Sequence, residues 1–93
     1  MRARRKAAAS GLWSDAASAL KDDDLPRAER ALGQLVGDQD SVTRDSAQLA
    51  LAEIWMKNQQ APRARVALER LARSGATPAI RQRAARLLTE LPR

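Results

Sequence analysis

The chain has 93 residues, 17 of them basic and 11 acidic, for a net charge of +6. It contains no His, Cys, Tyr or Phe, and Trp13 and Trp55 are its only aromatic residues. Those absences exclude disulfides, remove the usual zinc and iron–sulfur ligands, and remove the commonest His- and Cys-based catalytic pairings.

The first ten residues carry four basic groups, Arg2, Arg4, Arg5 and Lys6. No apolar core of about 7–15 residues follows them, so the segment does not read as a secretory signal. No stretch anywhere approaches the roughly 18 apolar residues of a membrane span. The arm has three readings. It is a flexible tail, or a helical extension through Ala7, Ala8 and Ala9 that Gly11 interrupts, or a juxtamembrane cluster whose tether lies outside this chain. The expected division is therefore a basic, flexible arm at 1–10 and a helical domain at 11–93. Charge continues unevenly along the domain: 11–40 is net acidic, 41–60 neutral, and 61–93 strongly basic.

Five stretches have helical period. Residues 12–21 place Trp13, Ala16, Ala17 and Leu20 on one stripe. Residues 25–36 do so with Ala28, Ala31, Leu32, Leu35 and Val36, and 42–58 with Ala47, Ala50, Leu51, Ile54 and Trp55. Residues 62–73 follow with Ala64, Ala67, Leu68, Leu71 and Ala72, and 79–91 with Ile80, Ala84, Leu87, Leu88 and Leu91. β-branched residues are few and none alternate with period two, so strands are not expected. Asp24, Asp40 or Ser41, and Thr77 stand where N-caps belong, and Pro26, Pro62 and Pro78 fall in first turns. Gly37 and Gly75 stand where left-handed C-caps are expected. Connections of about 3–5 residues then predict antiparallel neighbours.

A near-repeat sets the expected architecture. PRAERALGQL at 26–35 and PRARVALERL at 62–71 share Pro, Arg, Ala, Ala, Leu and Leu at a spacing of 36 residues. VTRDSAQLAL at 42–51 has a weaker echo in AIRQRAARLL at 79–88. A period in the mid-thirties built from two helices is the mark of a helical-hairpin array, in which each hairpin completes its burial by stacking on the next.

In LALAEIWMKNQQAPRARVALERL, Leu51, Ala52 and Trp55, with Ala64 and Leu68, resemble the large, small and aromatic positions of a tetratricopeptide repeat. Ala28 and Leu32 match the earlier copy, where Ala16, Ala17 and Leu20 fit less well. The usual Tyr and Phe are absent and the spacing is 36 rather than 34. LVGDQDSVTRDSAQLALAEI also resembles a HEAT helix pair, the second choice. The resemblance implies an all-α, right-handed TPR-like solenoid of five antiparallel helices, two hairpins and a capping helix. It implies a non-catalytic module for protein–protein binding or scaffolding, with a partner peptide or domain in a concave groove, as in soluble parts of larger bacterial envelope or regulatory assemblies.

In that arrangement the first helix of each hairpin lines the groove. The expected lining is Ser14, Ser18 and Lys21, then Ser46, Leu49, Glu53, Met56 and Lys57, then Arg83, Arg86 and Glu90. Val42, Leu49 and Met56, seven apart, form a second apolar stripe on the third helix, read either as packing on the first and fifth helices or as groove floor. Arg83 and Arg86 stand one turn apart and could clamp a carboxylate; the alternative is a solvated face with Arg86–Glu90 as an i,i+4 pair. Arg65–Glu69 and Glu69–Arg73 read as surface pairs, and Trp13 and Trp55 as core.

Catalytic and metal motifs are weak. Ser18-Ala-Leu-Lys21 has Ser-x-x-Lys spacing without its companion motifs. Asp22-Asp23-Asp24 lacks the alternation, Gly and distal Glu of a calcium loop. Gly33 and Gly37 stand four apart, outside any membrane-length segment. The expectation is no enzyme and no cofactor. Nucleic acid is the second reading, resting on the basic arm and the Arg-rich last third; the acidic first half and the lack of an aromatic platform oppose it. Opposite charges on the two halves also allow head-to-tail self-association. Compartment is not legible.

Overall fold

The computed structural model describes the backbone of residues 2–92 and the side chains of residues 10–92. Five helices account for nearly all of it: α1 (Arg2–Lys21), α2 (Leu25–Leu35), α3 (Ser41–Lys57), α4 (Ala61–Ser74) and α5 (Pro78–Glu90). There is no strand among the described residues. Among the described residues no helix is long and apolar enough to cross a membrane. α1 runs unbroken through Gly11, so residues 2–10 share the helix that follows. The side chains of Arg2, Arg4, Arg5 and Lys6 lie outside the described residues.

The caps sit where side-chain chemistry puts them. Asp24 accepts from the Arg27 N–H, Asp40 from the Thr43 N–H, and Thr77 from the Ile80 N–H. Each satisfies one of the amide donors that a helix start leaves without an intrahelical partner. Gln60 opens α4 with no side-chain cap, and Pro62 follows in the first turn.

The helix ends correct one expectation. Gly37 and Gly75 are not left-handed; the two residues with positive φ among the described residues are Asp23 (57°) and Gln59 (60°). They end α1 and α3, and they stand 36 residues apart. Their surroundings recur with them. Asp22 N–H donates to Ser18 O (3.0 Å) and Asp24 N–H to Ala19 O (2.7 Å). Asn58 N–H donates likewise to Ile54 O (2.9 Å), and Gln60 N–H to Trp55 O (2.8 Å). Each pair closes a helix end by bonds reaching back four and five residues, as a left-handed residue after the last turn permits. Gly75 has another role: a Cβ there would sit 2.6 Å from Leu71 O and 2.8 Å from Ile80 Cγ2, so it lets α4 turn closely into α5.

Each helix packs on its neighbour in sequence, and α3 also packs on α5. α3 is thus central, touching α2, α4 and α5, whereas α1 packs on α2 alone among the described residues. The radius of gyration is 13.1 Å, close to the roughly 12 Å of a compact chain this long. The core joins Ala28, Leu32 and Leu35 of α2 to Leu51, Ile54 and Trp55 of α3, Leu68 and Leu71 of α4, and Ile80, Leu87 and Leu91 of the α5 end. Burial follows the spacing of 36: Ala28 and Ala64, Leu32 and Leu68, and Leu35 and Leu71 are buried in pairs. Ala16 and Ala52 form another such pair, as do Ala19 and Trp55.

α1 departs from its expected stripe. Ala16 and Ala19 are buried, Trp13 is half-buried, and Ala17 and Leu20 are exposed. A helix with one neighbour needs only a narrow seam, and two alanines allow the backbones to approach closely. In the other helices the buried residues lie largely on the expected stripes, with Ala50, Ala67, Ala72 and Leu88 left half-buried at the seam edges.

Candidate binding groove

α3 and α5 meet along one side of the molecule and leave an open groove of about 480 Å³ between them. Its lining is Glu53, Met56 and Lys57 from α3 with Arg83, Leu87 and Glu90 from α5. The helical period puts Glu53, Met56 and Lys57 on one face one turn apart. Leu87 is turned into the core from below, and Arg83 and Glu90 flank it at i−4 and i+3. Five of the eleven expected lining residues therefore come together.

The others do not join them. Ser46 and Leu49 are half-buried further along α3, and Leu49 packs against the core. Met56 is likewise half-buried, whereas Val42 at the start of the same stripe is exposed. Arg86 lies beside the groove, sharing a shallow depression with Ala79, Gln82 and Arg83. Ser14, Ser18 and Lys21 are exposed on α1, which packs on neither α3 nor α5.

Charge within the groove is partly cancelled. Arg83 directs Nε (3.2 Å) and Nη2 (3.1 Å) at Glu53 Oε1. One of the two guanidinium groups that could clamp a carboxylate is thus engaged across the helix interface. Arg83 is 51% exposed and Glu53 37%, so water competes and the pair contributes at most about 1 kcal/mol. Arg86–Glu90, Arg65–Glu69 and Glu69–Arg73 do not form ion pairs among the described residues; Arg65 instead donates to the Pro92 carbonyl oxygen. A salt bridge on an exposed helix face gains little over hydrated ions, so these side chains follow other partners or water.

Two polar arrangements escaped the sequence reading. Asp45 is fully buried and holds three donors: Arg44 Nε (3.1 Å), Arg70 Nη2 (3.2 Å) and the Ala76 N–H (2.9 Å). Burial pushes its carboxyl pKa up, but the hydrogen bonds and charges of Arg44 and Arg70 outweigh that and hold it below its ordinary value. The one signal in the sequence was its position seven residues before Ala52, hence on the inward side of α3. The second arrangement surrounds Trp55. Its Nε1–H donates to Glu29 Oε1 (3.1 Å), and the Arg63 guanidinium lies 4.4 Å above the ring. Such a cation over an indole face is attracted by the ring quadrupole. Only the fold shows that α2 and α4 both reach that ring.

Elsewhere the acidic turn of residues 22–24 is exposed. Asp24 is the helix cap, and Asp22 lies 3.8 Å from Arg27, which is bonded more closely to Asp15 (2.7 Å). The Asp15 hydrogen bond and charge raise the Arg27 pKa further above its ordinary value. No cluster of metal-ligating side chains occurs among the described residues. Compared with protein-family models, curated proteins and solved structures, the chain matches none.

Proposed function

We propose that this chain is a non-catalytic, TPR-like module of two helical hairpins and a capping helix that binds a partner peptide or domain along the α3–α5 groove. The observation that carries the reading is the groove itself: an apolar strip of Met56 and Leu87 edged by Glu53, Lys57, Arg83 and Glu90. An apolar floor with a charged rim is the pattern of peptide-recognition surfaces. The recurrence of helix-end geometry and buried positions at a spacing of 36 supports the hairpin array. So does the packing of α3 on α5, as first helices of adjacent hairpins pack; α1, which packs on α2 alone, is the least array-like element.

The test is a peptide-display selection on the immobilised chain, followed by amide chemical-shift mapping of a selected peptide. The expected result is shifts concentrated at Glu53, Met56, Lys57, Arg83, Leu87 and Glu90. Binding is lost in an Arg83→Ala/Arg86→Ala double variant that keeps its helical circular dichroism. Shifts confined to other faces, or a selection that yields no peptide, refute the reading. Salt-sensitive binding to DNA in place of peptide would favour the nucleic-acid reading.

A further inference from the structure

A second surface lies on a different side of α3. α2 and α4 do not pack on each other, and the gap between them is an open groove of about 420 Å³. Leu51 and Trp55 of α3 form its floor; Pro26, Glu29, Arg30 and Gly33 of α2 form one wall and Arg63 of α4 the other. Three features make this gap more than a crevice between helices.

The first is charge. Glu29 is engaged by the Trp55 indole N–H. Arg30 is exposed and has no ion-pair or hydrogen-bond partner among the described residues. Arg63 stacks on Trp55 and is steadied by Gln60 Oε1 at 3.4 Å, leaving the rest of its donor fork unclaimed. Two guanidinium groups thus line opposite walls of the groove against a single carboxylate, Glu29, which holds the Trp55 indole N–H. The second is Gly33. It sits inside α2, where glycine is the least favourable residue after proline. Its φ is not positive, and a Cβ built there would meet nothing within 4 Å. Neither backbone geometry nor internal packing requires it, so its effect is to keep the groove wall bare. The third is rigidity: Trp55 is held by Glu29 at its N–H edge and by Arg63 over its face.

We infer that the α2–α4 groove is a second docking surface that takes an acidic segment of another protein, its carboxylates on Arg30 and Arg63 and its backbone passing over Gly33. Charge complementarity selects the occupant: an acidic segment supplies the anions that two guanidinium groups without carboxylate partners bind best. This surface shares no lining residue with the α3–α5 groove, so the two stand or fall separately.

The test uses the full chain and a fluorescein-labelled peptide of about 12 residues with Glu at alternate positions and small apolar residues between. Fluorescence anisotropy at low salt is expected to show saturable binding. Arg30→Glu and Arg63→Glu each weaken it about tenfold or more. Gly33→Gln weakens it while raising the thermal midpoint, because Gln is the better helix former and a Cβ at this position meets nothing within 4 Å. Arg73→Glu, on the exposed side of α4 and outside both grooves, leaves the affinity unchanged. Absence of saturable binding, an Arg30→Glu variant that binds as wild type, or an equal loss in Arg73→Glu overturns the inference. Sedimentation showing peptide-free oligomers that Arg30→Glu dissolves also overturns it, because the occupant is then a second copy.

Discussion

Replacing Asp45 by Ala removes the one fully buried carboxylate and separates three elements that it ties together. The Ala76 N–H, half-buried in the turn before α5, loses its acceptor, which costs about 1–3 kcal/mol. The bonds from Arg44 and Arg70 would be worth more in a dry site. Each arginine side chain is 43% exposed and recovers water, so together they contribute about 1 kcal/mol. The expected loss is about 2–4 kcal/mol in all. Urea unfolding followed by far-UV circular dichroism measures it, with an unchanged slope showing that the loss lies in stability. Asp45→Asn keeps one acceptor oxygen for Ala76 and removes the charge, so it falls between wild type and Asp45→Ala. The pH dependence has a definite sign. The folded carboxyl pKa lies below the ordinary 3.8, so its contribution is complete above about pH 4 and is lost as pH falls through the lower folded value. Asp40, held low by hydrogen bonds from the Thr43 backbone and side chain, adds acid sensitivity of the same sign. A loss below about 1 kcal/mol in Asp45→Ala, or an acid transition unchanged in Asp45→Asn, would refute the assigned role.

Five further substitutions probe the packing. Trp55→Ala is expected to lower stability by about 3–5 kcal/mol, and Trp13→Ala by clearly less because Trp13 is half-buried; urea midpoints that rank the other way contradict the packing of α3. Leu32→Ala and Leu68→Ala, both fully buried and 36 residues apart, should each cost about 2–5 kcal/mol and agree within about 1; widely different values would mean that their surroundings are not equivalent. Gly75→Ala is expected to cost about 1–3 kcal/mol, since its Cβ would press on a backbone carbonyl oxygen. A thermal midpoint equal to wild type would show that the α4–α5 turn yields.

Local chemistry fixed the helices. Asp24, Asp40 and Thr77 cap starts wherever a short acceptor precedes an apolar stripe, and Leu32, Leu35, Leu68 and Leu71 are buried because helical period gives one dry side. Five of the six residues lining the α3–α5 groove were legible for the same reason: Glu53, Met56 and Lys57 share a face in any helix, as do Arg83 and Glu90. What each face meets is not a property of its own helix. Trp13 and Trp55 occupy similar stripes, yet only Trp55 has helices on both sides, so neighbour count decided their burial. Arg83 could have paired along α5 or across to α3; the approach of Glu53 decided it. Asp23 and Gln59 are left-handed, and Gly37 and Gly75 are not, because α1 and α3 close with bonds reaching back four and five residues, whereas α2 and α4 end on right-handed and extended backbone. Asp45 gave almost no signal, since a buried carboxylate is tolerable only where donors from distant elements converge, and Arg70 and Ala76 reach it only once the chain has packed.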